Sequence, residues 1–232
     1  MTSLSTSTTT LQASLSSLAL FSGISQAGVE KLASASRLRK IPKGQVVFFQ
    51  SDPGDAVYLV RSGAVAIQLV HPDGREMMIN EISPGECFGE LAVLTGRPRS
   101  TSGVALKLSE LVVIPGAVFL EVLLSDQVFT RRILDLLAHR LSASTLRESS
   151  MIFLDAQARL ALTLLKLDQQ QPEEDLVTIS QGELAQRTGL TRQTVAKILG
   201  RWRRAGWLIT GRGRIMLLNR EMLHRISQET EL

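Results

Sequence analysis

A chain of 232 residues with 44% hydrophobic and 21% charged positions has apolar material for more than one modest core, so two domains are expected. No apolar run approaches the roughly 18 residues of a membrane span, and a single cysteine, Cys87, excludes a disulfide framework or a cysteine-ligated cluster within one chain. The net charge of +4 is unevenly spread: residues 1–155 carry 14 Lys+Arg against 14 Asp+Glu, whereas residues 156–232 carry 12 against 8.

Residues 1–17 hold eleven Ser or Thr and have neither the basic residues of a transit peptide nor the apolar core of a signal peptide. A disordered tail is expected there. From 18 to 35 the apolar positions Leu18, Leu20, Phe21, Ile24, Val29 and Leu32 predict a short helical segment. From Ile41 to about Val113, short β-branched or aromatic runs are separated by glycines at 44, 54, 63, 74, 85 and 96. Such regular punctuation predicts an antiparallel sandwich or barrel, with strands at Val46–Phe49, Val57–Val60, Val65–Leu69, Met77–Ile82 and Leu111–Ile114. Pro72-Asp73-Gly74 reads as a tight turn between two of them, and Cys87 as a small core residue of a strand.

Between Phe88 and Thr101 the chain reads Phe-Gly-Glu-Leu-Ala-Val-Leu-Thr-Gly-Arg-Pro-Arg-Ser-Thr. Gly89 allows a positive φ or a close backbone approach. Glu90 can accept from a sugar hydroxyl, and Arg99 with Ser100 offers donors that fit the oxygens of a phosphate. Two readings fit this spacing: a cradle for a ligand with a sugar at one end and an anion at the other, or a surface turn with a solvated Glu and Arg.

After Pro115 the helical period returns and runs towards Phe153. Leu134, Leu137, Leu141, Ser144, Glu148 and Met151 recur at alternating steps of three and four, a heptad seam along which two copies would pack in parallel. Ser144 and its neighbour Thr145 interrupt the leucines. They are either solvated after a drift of register or turned to a polar ligand edge.

Asp155 is suited to cap a helix at 156–167, and Gln169–Asp175 is a polar loop. Ser180-Gln-Gly-Glu183 is a capping box, its helix breaks at Gly189, and a second helix begins after Thr191 and runs to Arg204. Two short helices about a glycine turn predict a helix-turn-helix. Val195, Ile198, Leu199 and Trp202 form one stripe, with Arg192, Gln193, Lys197, Arg201 and Arg204 opposite. Arg192 suits guanine and Gln193 adenine in a major groove. Residues 209–218 read as a hairpin wing whose Arg212 and Arg214 either touch phosphates or serve solubility. From Arg187 to Arg220 there are nine basic residues and no acid, the footprint of a polyanion site.

Gly89, Glu90, Leu91, Ala92, Arg99, Ser100 and Thr101 resemble the phosphate-binding cassette of cyclic-nucleotide-binding domains. Ser51-Asp52-Pro53-Gly54-Asp55 resembles the opening of their β-roll. Over almost the whole chain the sequence is similar to the cyclic-AMP receptor/fumarate-nitrate regulator family of bacterial transcription factors, in its cyclic-AMP receptor subgroup. The resemblance implies an α+β protein: an N-terminal antiparallel β-roll (jelly-roll) with its helix at 18–120, a dimerisation helix at 121–154 and a winged helix-turn-helix domain at 155–232. It implies that Glu90 binds the ribose 2′-hydroxyl while Arg99 and Ser100 hold the cyclic phosphate. Phe88, Gly89, Leu91, Ala92, Thr101 and Arg140 complete the ligand set. Counting back from Phe153-Leu154-Asp155, Ser144-Thr145 fall on the family's base-contacting pair, one hydroxyl coming from the opposite subunit. The implied DNA set is Ser180, Gln181, Thr191, Arg192, Gln193, Thr194, Lys197, Arg201, Arg212 and Arg214. Gln193 and Lys197 depart from the founding member's glutamate and arginine, so a half-site altered at that position is expected.

The implied function is a homodimeric, cytoplasmic transcription regulator gated by cyclic AMP, with cyclic GMP possible and no metal. Its partners would be palindromic double-stranded DNA and RNA polymerase, with no membrane. Three alternatives stand beside it. A regulator of the same fold could take another effector or bind DNA constitutively. A haem or iron–sulfur sensor would need ligands, yet His71, His139, His224 and Cys87 form no pair by spacing. An enzyme would need a catalytic motif, and none of the familiar nucleophile, metal or phosphate-loop patterns occurs.

Overall fold

A computed structural model describes residues 11–12, 15–16, 18–71, 73, 76–170 and 176–228. The chain forms two compact units: Met1–Gly74 with Ile79–Arg140, and Arg75–Met78 with Leu141–Leu232.

The first unit is built on strands β1 (Arg37–Ile41), β2 (Val46–Phe48), β3 (Ala56–Ser62), β4 (Val65–Val70), β5 (Glu76–Ile82, from residue 79 on), β6 (Cys87–Phe88), β7 (Ser102–Ala105) and β8 (Ser109–Pro115). They form two four-stranded sheets, ordered β1-β8-β3-β6 and β2-β7-β4-β5. The non-sequential order, with β8 antiparallel to both β1 and β3, is that of a β-roll. Residues 56–60 of β3 are all buried, which requires cover on both faces of this strand. One side contributes the aromatic cluster Phe48, Tyr58 and Phe88, with ring centroids 5.2 to 5.9 Å apart. On the other, Val57, Leu59 and Val112 meet helices α1 (Gln26–Ala35) and α3 (Gly116–Ser125) and the start of α4 (Gln127–Phe153), through Leu32, Phe119 and Phe129. Each such side chain contributes roughly 1.5–3 kcal/mol of burial.

Three expectations are corrected here. The disordered tail does not hold for Leu11 and Leu15, which are helical and 6% and 0% exposed in the core with Phe21 and Phe129. These leucines have an apolar surface to cover, so the Ser/Thr-rich surroundings do not decide their state. The single helix over 18–35 is a 3-10 turn at Ala19–Phe21, a bend at Gly23 and then α1, whose first turn is capped by Ser25. Likewise, the expected helical run of 121–154 breaks at Asp126, whose carboxylate accepts from the N–H groups of Val128 and Phe129 at 3.0 Å and so starts α4 afresh. Of the expected turn at 72–74, only Asp73 lies among the described residues.

The second unit holds α5 (Ala156–Gln170), β9 (Val177–Thr178), α6 (Gln181–Thr188), α7 (Arg192–Arg204), β10 (Leu208–Gly211), β11 (Arg214–Leu217) and α8 (Arg220–Gln228). Asp155 caps α5 by accepting from Ala158 N–H at 2.7 Å. The expected polar loop begins later than read, since Gln169 and Gln170 are still helical, and 171–175 lie outside the described residues. The core is Leu160, Leu164, Leu184, Val195, Leu199, Trp202, Ile215 and Leu223 among others, with Trp202 fully covered. The wing is three-stranded, in the order β10-β11-β9.

Candidate functional site

The turn after β6 concentrates buried charge. Gly89 takes a left-handed conformation, φ 79° and ψ 4°, at the head of the short helix α2 (Glu90–Thr95). A Cβ there would lie 2.7 Å from Arg99 Nη1, so no side chain fits without displacing it. Glu90 is 1% exposed. Its Oε1 accepts from Arg140 Nη1 at 2.5 Å, and its Oε2 is buried without a partner among the described residues. Arg140 also donates through Nη2 to the Cys87 carbonyl. Burial is the largest influence on the pKa of Arg140 and lowers it, but the charge and hydrogen bond of Glu90, with smaller help from Cys87 and Glu86, make the net movement upward.

Arg99 is 3% exposed. Its main chain is clamped by the β2–β3 loop: Ser51 N–H donates to Arg99 O and Arg99 N–H to Asp52 O, each at 2.8 Å. Ser51 holds this clamp at φ 73°, a conformation glycine takes more cheaply. The guanidinium lies 4.5 Å from the Phe48 ring centroid and 5.5 Å from that of Tyr58. Nη1 donates to Gly89 O at 2.6 Å and Nη2 to Ala56 O at 2.7 Å, while Nε is buried without a partner among the described residues. The nearest carboxylate, that of the exposed Asp55, stands 3.6 Å from Nη2. The fork of donors expected to be open is therefore half engaged by carbonyls, because a buried guanidinium must satisfy its N–H groups locally.

The other expected ligand residues divide by environment. Phe88 and Ala92 are core, the latter against Gly54, where a Cβ would come within 2.4 Å. Leu91 is half exposed, Ser100 exposed and Thr101 partly buried. Ser144 and Thr145 belong to the second unit and bond within their own helix: Ser144 to Glu148 and Thr145 to the Leu141 carbonyl, both at 3.2 Å. That Phe48, Tyr58, Asp55 and the Ala56 carbonyl surround Arg99 was not legible in the sequence. The Ser51–Asp55 motif marked their neighbourhood but not their contacts. The Cys87 thiol, buried beside this turn, is pushed up to about 12 by desolvation and stays protonated.

In the second unit, Ser180 caps α6 by accepting from Glu183 N–H at 3.1 Å, and the Glu183 carboxylate pairs with Arg187. Gly189 ends α6 in the left-handed region. Thr191 then caps α7 through Thr194 N–H, and the two threonine hydroxyls lie 2.8 Å apart. The four residues of the expected stripe are 0 to 5% exposed. Gln181, Arg192, Gln193, Lys197, Arg201, Arg212 and Arg214 are all exposed. Arg201 is tied to Gln157 at 3.1 Å, whereas Arg203, absent from the expected set, is exposed on the same helix. No carboxylate lies between Arg187 and Arg220 to compete with a phosphate for these cations.

A β-roll carrying buried, incompletely satisfied opposite charges and a separate winged helix-turn-helix with a basic, exposed second helix define an effector-responsive DNA-binding protein. Residues 38–126 match the family described as Cyclic nucleotide-binding domain, and residues 158–226 match the Crp-like helix-turn-helix domain. The Cyclic AMP receptor protein of Thermus thermophilus is 32% identical over 208 residues, spanning 90% of this chain and 96% of its own. The CRP-like cAMP-activated global transcriptional regulator of Mycobacterium tuberculosis is 28% identical over 212 residues, 89% of this chain and 95% of its own. Among solved structures, the c-di-GMP responsive global regulator CLP of Xanthomonas campestris shares the fold, with a TM-score of 0.74 and 24% identity over 83% of this chain and 99% of that one. The chain belongs to the cyclic-AMP receptor/fumarate-nitrate regulator family of helix-turn-helix transcription regulators. No helix of the described residues is long and apolar enough to cross a membrane.

Proposed function

We propose that this regulator is a homodimer whose DNA binding is gated by cyclic AMP. The observation that carries the reading is the pair of buried atoms left over at one turn: among the described residues, Glu90 Oε2 is an acceptor without a donor and Arg99 Nε a donor without an acceptor. Buried polar groups are rarely left unpaired, and a ligand offering both a sugar hydroxyl and an anionic phosphate supplies what each lacks. In this reading Glu90 takes the ribose 2′-hydroxyl. Arg99 and Ser100 hold the phosphate, with Phe88, Gly89, Leu91, Ala92, Thr101 and Arg140 around them. Ser144 and Thr145 meet the base across the dimer. The exposed Leu134, Leu141 and Met151 of α4 are the surface along which two copies pair. Ser180, Gln181, Thr191, Arg192, Gln193, Thr194, Lys197 and Arg201 engage a palindromic operator through its major groove, and Arg212 and Arg214 the flanking phosphates. RNA polymerase is the further partner, in the cytoplasm.

Calorimetric titration with cyclic AMP, cyclic GMP and cyclic di-GMP tests the effector, paired with sedimentation for the oligomeric state. Micromolar binding of cyclic AMP alone is expected. Heat with another of the three, or with none, would sink the assignment. Cyclic di-GMP is the second reading, favoured by the fold shared with a regulator described as responsive to it.

A further inference from the structure

Gly200 stands inside α7, two turns from its start and one from its end. Glycine in a helix interior is destabilising relative to alanine, so it calls for a reason. The described residues supply none. The backbone of Gly200 is ordinary helix, and among the described residues, its own helix backbone aside, a Cβ built there meets only Arg204 Nη1, at 3.8 Å, the far end of a flexible side chain. Elsewhere glycines answer to their own fold: a Cβ would come within 2.4 Å of Ala92 at Gly54 and 2.2 Å of Ser109 at Gly63. Gly182, also helical with room for a Cβ, lies in the first turn of α6, where the interior penalty does not apply.

The position of Gly200 supplies the reason. Val195, Ile198, Leu199 and Trp202 occupy the buried side of α7. At about 100° per residue, Gly200 falls opposite them, between the exposed Arg192 and Arg203 on one flank and Gln193, Lys197 and Arg204 on the other. We propose that Gly200 is a positioning residue for double-stranded DNA. The missing side chain lets the polar face of α7 settle into the major groove closer than a Cβ permits, bringing the flanking cations and Gln193 within reach of base edges and phosphates. This rests on the reading of α7 as the recognition helix.

The test uses full-length wild-type protein, Gly200→Ala and Gly200→Ser. An operator is first selected by the wild type from random duplex DNA, in parallel without effector and with cyclic AMP, cyclic GMP or cyclic di-GMP. Thermal unfolding and fluorescence-anisotropy binding to that operator are then measured for all three. Gly200→Ala is expected to raise the unfolding temperature by about 2–4 °C yet weaken operator binding about tenfold, with Gly200→Ser weaker still and cyclic AMP affinity unchanged. Opposite signs for stability and affinity are what a purely structural glycine could not produce. An alanine variant that is stabilised and binds as tightly as wild type would overturn the proposal. So would one that is destabilised, which would make the glycine a requirement of the fold. A wild type that selects no sequence would overturn the recognition-helix reading itself, and the proposal with it.

Discussion

Arg140 donates to Glu90 across fifty residues of sequence, holding a carboxylate that is 1% exposed to the long helix. The arginine side chain is itself only 25% exposed, so the pair is largely desolvated. Removing one partner of such a pair leaves an uncompensated buried charge. Arg140→Met is therefore expected to lower stability by about 3 kcal/mol, and the double variant with Glu90→Gln to recover much of it. Urea unfolding of the four proteins measures this, and additive losses would show that the contact carries no coupling. With the proposed ligand, Glu90→Gln alone should weaken cyclic AMP binding about tenfold, the loss of a charge-assisted hydrogen bond.

Asp126 joins the break between α3 and α4 to the first turn of α1. It accepts from Ser25 N–H at 2.8 Å as well as from Val128 and Phe129. These bonds, that to Ser25 first, hold its pKa below the ordinary 3.8. A depressed pKa means that its stabilising contribution is complete above the unfolded value and is lost as pH falls through the folded one. Asp126→Ala should then cost about 1 kcal/mol near neutral pH. The gap to wild type should close under strongly acidic conditions. Denaturant midpoints for both proteins across that range test it, and a gap independent of pH would point to packing instead.

Cys87 combines full burial with a thiol pushed up to about 12. The thiolate is the reactive form, so native protein should react with a thiol-specific disulfide reagent far more slowly than free cysteine at neutral pH. The full equivalent should appear on adding denaturant. Fast labelling of the native state would show that the turn around Glu90 opens.

Arg212 and Arg214 flank the tip of the wing, both exposed. As phosphate contacts, each replaced by alanine should weaken specific and nonspecific duplexes alike and flatten the salt dependence by about one unit of slope. A change confined to one operator base pair would instead make the residue a reader of sequence.

What the chain disclosed before its structure was known depended on whether a residue's role follows from its type or from its direction. The stripe of α7 was legible because a 3.6-residue period and a threonine cap are written locally. Strand β1 was not, since Arg37, Arg39 and Lys40 give an edge strand a polar reading. Nor was β7, where Gly103 stands against the Phe48 ring, 3.3 Å from where its Cβ would be, in place of a β-branched residue. The apolar period runs on through Asp126, so only its carboxylate's three N–H partners disclose the break. At the candidate site an acid, a glycine and an arginine share one turn, a neighbourhood their spacing already marks. That Arg99 turns inward to two carbonyls depends on β3 and the Phe48 and Tyr58 rings, contacts more than forty residues away in sequence.

That inward turn makes Arg99 a keystone as well as a candidate anion holder. It ties the main chain of Gly89 to that of Ala56 while its own main chain is gripped by Ser51 and Asp52. An allele in which Arg99 is replaced thus mixes two phenotypes, deafness to the signal and loss of protein. Lysine is no gentler, because a single ammonium cannot reproduce a rigid fork that serves two carbonyls at once. A genetic dissection of signalling is better begun at Ser100, whose exposed hydroxyl leaves that junction intact.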